Sequence, residues 1–215
     1  MTEQEQREQE QKIQMVNLAR SFYERGYSVG GAGNLSVRLD DNRILVTPTG
    51  SSLGRLVPER LSVVDMQGNW ISGDKPSKEY VFHLALYQQN PNCNAVVHLH
   101  STYLTALSCV EGLNTDNAIQ AFTPYYVMRV GKLQVIPYYR PGSPKIAEEL
   151  AARANTGKAF LMANHGIVVT GSDLIDACDN TEELEETAKL FFTLQHQSIR
   201  YLSDDEVKDL ENRGK

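Results

Sequence analysis

Residues 94–108 read NAVVHLHSTYLTALS, and the architecture turns on them. The run from Ala95 to His100 is short, apolar and rich in β-branched side chains, as a strand is. From Ser101 onward Tyr103, Leu104 and Leu107 fall at helical spacing, so a strand passes directly into a helix. The same alternation continues on both sides. KAFLMANHGIVVTG (158–171) contains two strands joined at Asn164, and LSVRL (35–39) and RILVTP (43–48) flank Asp40-Asp41-Asn42 as a hairpin. LSVVDM (61–66) and LQVIPYY (133–139) read as further strands. Helices are expected from about Ile13 to Gly26, from Lys75-Pro76-Ser77 through Leu86, over IAEELAARA (146–154), and from Ser172 to Tyr201. Alternating strands and helices with two hairpin-like pairs predict an α/β protein whose sheet is at least partly antiparallel.

The 215 residues contain no repeat and no Pro/Gly/Ser-rich linker, so one domain spanning 1–215 is expected. EQEQREQEQ (3–11) reads as a solvated helix start or a frayed tail, and residues 1–11 and 203–215 are expected to be frayed or peripheral. Lysine and arginine number 21 against 27 acidic residues, a net charge of −6. That balance argues against binding duplex nucleic acid, which needs surplus cations to displace counterions. No apolar run has the length of about 20 residues that spans a bilayer, and the N-terminus lacks a signal-peptide core. Cys93, Cys109 and Cys178 form no paired framework, which fits thiols in a reducing cytoplasm.

Three of the five histidines carry a chemical signal. His98 and His100 are two apart on the expected strand, and successive strand side chains alternate in face, so both imidazoles share a side. Such a pair suits a metal clamp, or equally two hydrogen-bonded core histidines. His165 lies in Ala163-Asn164-His165-Gly166, where the glycine permits close approach of another group. Three imidazoles and one carboxylate suit Zn²⁺. Glu79 is the candidate carboxylate, beside Ser77 and Lys78 where a helix opens and free amides attract phosphate. Its ordinary alternative is a first-turn glutamate that stabilises the helix dipole. Gly33-Asn34 and Thr49-Gly50-Ser51-Ser52 supply amides and hydroxyls able to cradle an anion, though they also suit plain turns. His83 and His196, inside helical patterns, read as structural or surface residues.

Taken in order, Gly33-Asn34-Leu35-Ser36, Thr47-Pro48-Thr49-Gly50, Lys75-Pro76-Ser77-Lys78-Glu79, His98-Leu99-His100 and Asn164-His165-Gly166 resemble the class II aldolase/adducin family. The resemblance runs from roughly residue 12 to residue 200. It implies a three-layer α/β/α sandwich around a mixed, largely antiparallel sheet, and a C4 homotetramer with sites at subunit interfaces. It implies one zinc ion per subunit held by Glu79, His98, His100 and His165. It also implies phosphate binding by Gly33, Asn34, Thr49, Gly50 and Ser77, and Lys78 beside them reads as an added charge for phosphate or for a substrate carboxylate. The family's sugar-phosphate aldolases usually carry Ser-Ser-Glu where this chain has Ser77-Lys78-Glu79. Pro124-Tyr125-Tyr126-Val127-Met128-Arg129-Val130-Gly131 and Pro137-Tyr138-Tyr139-Arg140-Pro141-Gly142 are similar to the 3-oxo-tetronate 4-phosphate decarboxylase branch.

That branch implies loss of CO₂ from a small phosphorylated sugar acid. Glu79 and Tyr126 are the candidate proton carriers, the tyrosine in reach of a neighbouring subunit's site or else packed at an interface. A sugar-phosphate aldolase, epimerase or dehydratase of the same fold is the alternative. An adducin-head-like interaction module and a zinc hydrolase are the alternatives from other classes.

Overall fold

The computed structural model describes residues 2–213; Met1, Gly214 and Lys215 lie outside it. Eight strands form one sheet: β1 Asn34–Asp40, β2 Arg43–Val46, β3 Ser62–Asp65, β4 Trp70–Ser72, β5 Ala95–Leu99, β6 Leu133–Ile136, β7 Ala159–Met162 and β8 Gly166–Gly171. Their order is β4-β3-β2-β1-β5-β8-β7-β6. Only β6 and β7 are parallel; the other neighbours run antiparallel. The helices are α1 Glu3–Glu24, α2 Tyr80–Gln89, α3 Thr102–Ser108, α4 Pro124–Arg129, α5 Pro144–Arg153, α6 Leu174–Leu194 and α7 Asp204–Arg213.

Alternation along the central strands sorts their side chains into two cores. Leu35, Val37, Ala95, Val97 and Leu99 pack with Phe22 of α1, Leu104 of α3 and Leu184 of α6. Val96, Phe160 and Val168 pack with Phe82 and Leu86 of α2 and with Ile146 and Leu150 of α5. Each of these side chains other than Ala95 contributes roughly 1.5–3 kcal/mol relative to exposure. Net stability is only about 5–15 kcal/mol, so neither helical layer is dispensable. The result is the sandwich around a mixed, largely antiparallel sheet that the motifs implied. No helix among the described residues is long and apolar enough to cross a membrane.

Several boundaries differ from the pattern-based expectation. Residues 3–11 are the first turns of α1. The Thr2 hydroxyl accepts from the Glu5 amide at 3.2 Å while the Glu5 carboxylate accepts from the Thr2 amide at 2.8 Å, a reciprocal cap. Glu8 then pairs with Arg43 at 3.0 Å and joins this helix to the β1–β2 hairpin. α2 starts at Tyr80 rather than Lys75, because 75–77 is extended: Ser77 N–H donates to the Thr47 carbonyl at 3.1 Å and Thr49 N–H to the Lys75 carbonyl at 2.9 Å. α6 stops at Leu194 rather than Tyr201. β4, α4 and α7 escape the pattern because they are short or polar: three exposed residues, six residues behind a Thr123 cap, and ten mostly charged ones.

Candidate metal centre and substrate pocket

His98 sits near the end of β5, buried; the strand ends at Leu99, so His100 follows just beyond it rather than on it. His165 occupies the three-residue turn between β7 and β8. β8 lies beside β5 with Ile167 opposite Leu99, and this pairing folds the turn back over His100. Asn164 makes the turn possible with φ 55°, the one positive value among the described non-glycine residues, in a region that asparagine tolerates. A Cβ on Gly166 would collide with the Leu99 carbonyl and stand 3.0 Å from Cδ2 of His100. The three rings end with centroids 4.8–5.1 Å apart, and one nitrogen from each lies within 4.8 Å of the others.

Glu79 completes this cluster. It is the residue before α2, in helical conformation, and its side chain caps nothing on its own helix. The carboxylate turns instead to the imidazoles: Oε2 is 3.3 Å from Nε2 of His98, and Oε1 is 3.6 Å from Nε2 of His165. Nδ1 of His98 lies 2.9 Å from the Ile167 carbonyl, which can only accept, so Nδ1 carries the proton. Burial, and then the nearby His100 and His165, push the His98 pKa well down and keep the ring neutral. Burial also lowers His100 and His165. Neutral His98 therefore presents a bare Nε2 to a carboxylate oxygen and, at 3.0 Å, to Nε2 of His100. The bare His98 nitrogen and the Glu79 oxygen bring two lone pairs face to face, an arrangement that a cation satisfies. Three imidazole nitrogens and a carboxylate fit a divalent transition metal.

A cavity of about 420 Å³ opens in front of the cluster, a size suited to a small molecule. Gly33, Asn34, Thr49, Gly50, Ser77 and Lys78, all expected near an anion, line it together with Glu79 and His100. The loops are tied to one another: Pro48 and Pro76 form a bridge, and the Thr47 hydroxyl accepts from the Leu35 amide at 3.2 Å. Gly33 has φ +83°, and a Cβ there would stand 2.9 Å from the His98 carbonyl, so glycine alone fits between loop and strand.

Asn34 is in the pocket, but its side chain is already committed. Nδ2 donates to Oε2 of Glu79 at 2.7 Å, and Oδ1 lies 2.6 Å from Nε2 of His83. Of its side chain, only the second N–H of Nδ2 remains for an anion. His83, fully buried, belongs to the site although its helical pattern read as structural or surface, and Ser36 of the first motif lies behind it. Glu185 of α6 also went unrecognised. Its buried carboxylate accepts from the Ser101 hydroxyl at 2.6 Å and from the Tyr103 and Leu104 amides at 2.8 and 3.0 Å, which anchors the chain just after His100. Its only sequence signal was an acidic residue within the apolar stripe of a helix.

Tyr126 does not join the site. It is 0% exposed in the α1/α3/α6 core, and its hydroxyl donates to Oδ1 of Asn117 at 2.7 Å. Burial raises its pKa above the ordinary tyrosine value. The expected proton donor is thus a core residue, and the exposed tyrosine of that segment is Tyr125, at 62%.

The model of the class II aldolase and adducin N-terminal domain matches residues 13–192. A Haemophilus influenzae protein named 3-oxo-tetronate 4-phosphate decarboxylase is 80% identical over 205 residues, 95% of this chain and 98% of that protein. The L-fuculose phosphate aldolase of Methanococcus maripaludis strain S2 is 39% identical over 85% of this chain and 97% of that protein. The crystal structure of YgbL from Escherichia coli superposes with a TM-score of 0.93 at 56% identity, covering 94% of this chain and 98% of that one.

Proposed function

This chain belongs to the class II aldolase and adducin family, and on that premise we propose that it is a zinc-dependent decarboxylase converting 3-oxo-tetronate 4-phosphate to dihydroxyacetone phosphate and CO₂. The observation that carries this reading is the 80% identity, over 95% of the chain, to a relative that bears the activity in its name. The cavity supports it, since anion-suited loops adjoin a carboxylate and three imidazoles.

In the substrate, the carboxylate carbon C1 is bonded to the hydroxylated C2, which adjoins the ketone at C3. The C1–C2 bond breaks, CO₂ leaves, and the electron pair stays on C2, delocalised towards the C3 oxygen. C2 then takes up a proton. Zinc held by Glu79, His98, His100 and His165 would supply Lewis acidity where negative charge develops. The Gly33 and Gly50 amides and the Thr49 and Ser77 hydroxyls hold the phosphate end, and Lys78 adds positive charge at the rim. Binding energy spent there orients the far end of the substrate. The Glu79 carboxylate borders both the cavity and the imidazoles, and it moves the proton. Tyr126 takes no part.

Aldol cleavage to the same ketone phosphate passes through the same enediolate, and the 39% identity to an aldolase keeps that reaction as the second reading. A homotetramer in the cytoplasm completes the proposal. Exposed Val29, Tyr125, Met128 and Tyr138 offer apolar surface that a subunit contact would cover. The test is incubation of metal-analysed protein with 3-oxo-tetronate 4-phosphate while CO₂ and triose phosphate are followed. Equal release of both supports decarboxylation. Triose phosphate formed from a longer ketose phosphate, with no CO₂ from the sugar acid, supports the aldolase instead. The unphosphorylated acid should turn over poorly, with kcat reduced as well as affinity.

A further inference from the structure

We propose that His83 is a positioning residue for Glu79, acting through a buried file of hydrogen bonds, Tyr87–Ser36–His83–Asn34, that directs every proton towards the Glu79 carboxylate. The inference rests on the proposed role of Glu79 in proton transfer. Two matched periodicities build the file. On α2 and the residue before it, Glu79, His83 and Tyr87 are four apart and stack on one helical face. On β1, Asn34 and Ser36 are two apart and share one strand face. The two rows interleave. The Tyr87 hydroxyl lies 2.7 Å from Ser36 Oγ, and Ser36 Oγ lies 2.7 Å from Nδ1 of His83. Nε2 of His83 lies 2.6 Å from Oδ1 of Asn34, and Nδ2 of Asn34 lies 2.7 Å from Oε2 of Glu79.

The direction of each bond follows from its last member. A carboxylate only accepts, so Asn34 turns its NH₂ to Glu79 and its oxygen to His83. That oxygen also only accepts, so His83 carries its proton on Nε2. Burial holds the His83 pKa down to about 3, which keeps the ring neutral with one N–H. Its Nδ1 therefore accepts, Ser36 donates to it, and the Ser36 oxygen receives the Tyr87 proton. Ser36 and His83 are 0% exposed, and Asn34 and Tyr87 no more than 4%, so water cannot substitute for a missing member. Without His83 the Asn34 amide is free to turn, and Glu79 loses the donor that fixes Oε2.

Three measurements on the zinc-loaded protein test this. Histidine-selective ¹⁵N NMR of the wild type at pH 7 should show His83 neutral and protonated on Nε2; protonation on Nδ1 would overturn the file whatever the variants do. His83→Leu should lower kcat about 10–100-fold, as loss of a partner behind a site group does, with KM and zinc content near wild type. His83→Gln, whose amide can donate to Asn34, should recover most of kcat. Wild-type kcat in a folded His83→Leu protein, or equal losses in the Leu and Gln variants at equal melting temperature, would also overturn it. If the wild type releases no CO₂ at all, the proposed reaction fails instead, and the tautomer measurement still decides the file.

Discussion

Asn34 and His98 are paired across the antiparallel β1–β5 ladder, and both reach the same oxygen of Glu79, the amide nitrogen at 2.7 Å and the imidazole Nε2 at 3.3 Å. Partners in an antiparallel pair project to the same face of the sheet. One register thus delivers a hydrogen-bond donor and a bare nitrogen to one carboxylate. A one-residue slip of β1 would turn Asn34 to the opposite face and separate the Gly33–Asn34 loop from the imidazoles.

In the proposed metal centre His98 and His100 each supply one nitrogen, so His98→Ala or His100→Ala should leave most of the protein metal-free after desalting, with the far-UV circular dichroism unchanged. Elemental analysis checks this. Full occupancy in both variants would refute the ligand assignment.

Glu79→Gln retains size and one carbonyl oxygen but cannot accept a proton. Turnover should fall by about 10²–10⁴-fold, the usual contribution of a general acid–base group, while metal held by the three histidines is retained. Normal CO₂ release from the variant would leave Glu79 as a ligand and nothing more.

Gly166→Ala tests the turn that carries His165. The added methyl meets the Leu99 carbonyl and stands 3.0 Å from Cδ2 of His100, a backbone atom and a side-chain ring. Overpacking of this kind costs about 1–3 kcal/mol, read as a lower urea midpoint. Metal affinity, measured by chelator competition, should weaken with it. An unchanged affinity would show that the cluster absorbs the shift.

The buried neutral His83 makes stability depend on pH. Its folded pKa is about 3 against an unfolded value of about 6.5, so in that window the unfolded chain binds the extra proton. The stabilisation is complete above pH 6.5 and is lost as pH falls towards 3, with a limiting slope of ~1.4 kcal/mol per unit. In metal-free protein, His83→Gln should flatten the acid side of the stability curve. Identical curves would mean that His83 is not held neutral.

Tyr126→Phe should leave kcat unchanged and lower stability by about 1 kcal/mol, the usual net worth of a hydrogen bond. Asn117 Oδ1 keeps the Leu133 amide at 3.1 Å, so the loss stays modest. A large drop in kcat would return this tyrosine to the reaction.

The alternation of strands and helices, both hairpins, the metal-type donor set and the loops around the pocket were legible in the chain's residues, because each is written in local spacing or in motif order. The sequence also held a signal that went unread: Thr2 and Glu5 are spaced as a capping box, and that cap starts α1. Tertiary structure decided the rest. Tyr125 and Tyr126 are adjacent on one short helix, and only the docking of α4 sends the second into the core and leaves the first outside. Asn34 has the composition of an anion ligand, yet β1–β5 register and the approach of α2 commit both ends of its amide to Glu79 and His83. The difference is one of range. Periodicity reports which face of an element a side chain occupies, whereas the partner of a polar atom on that face is set by a neighbour tens of residues away, through sheet register and helix packing.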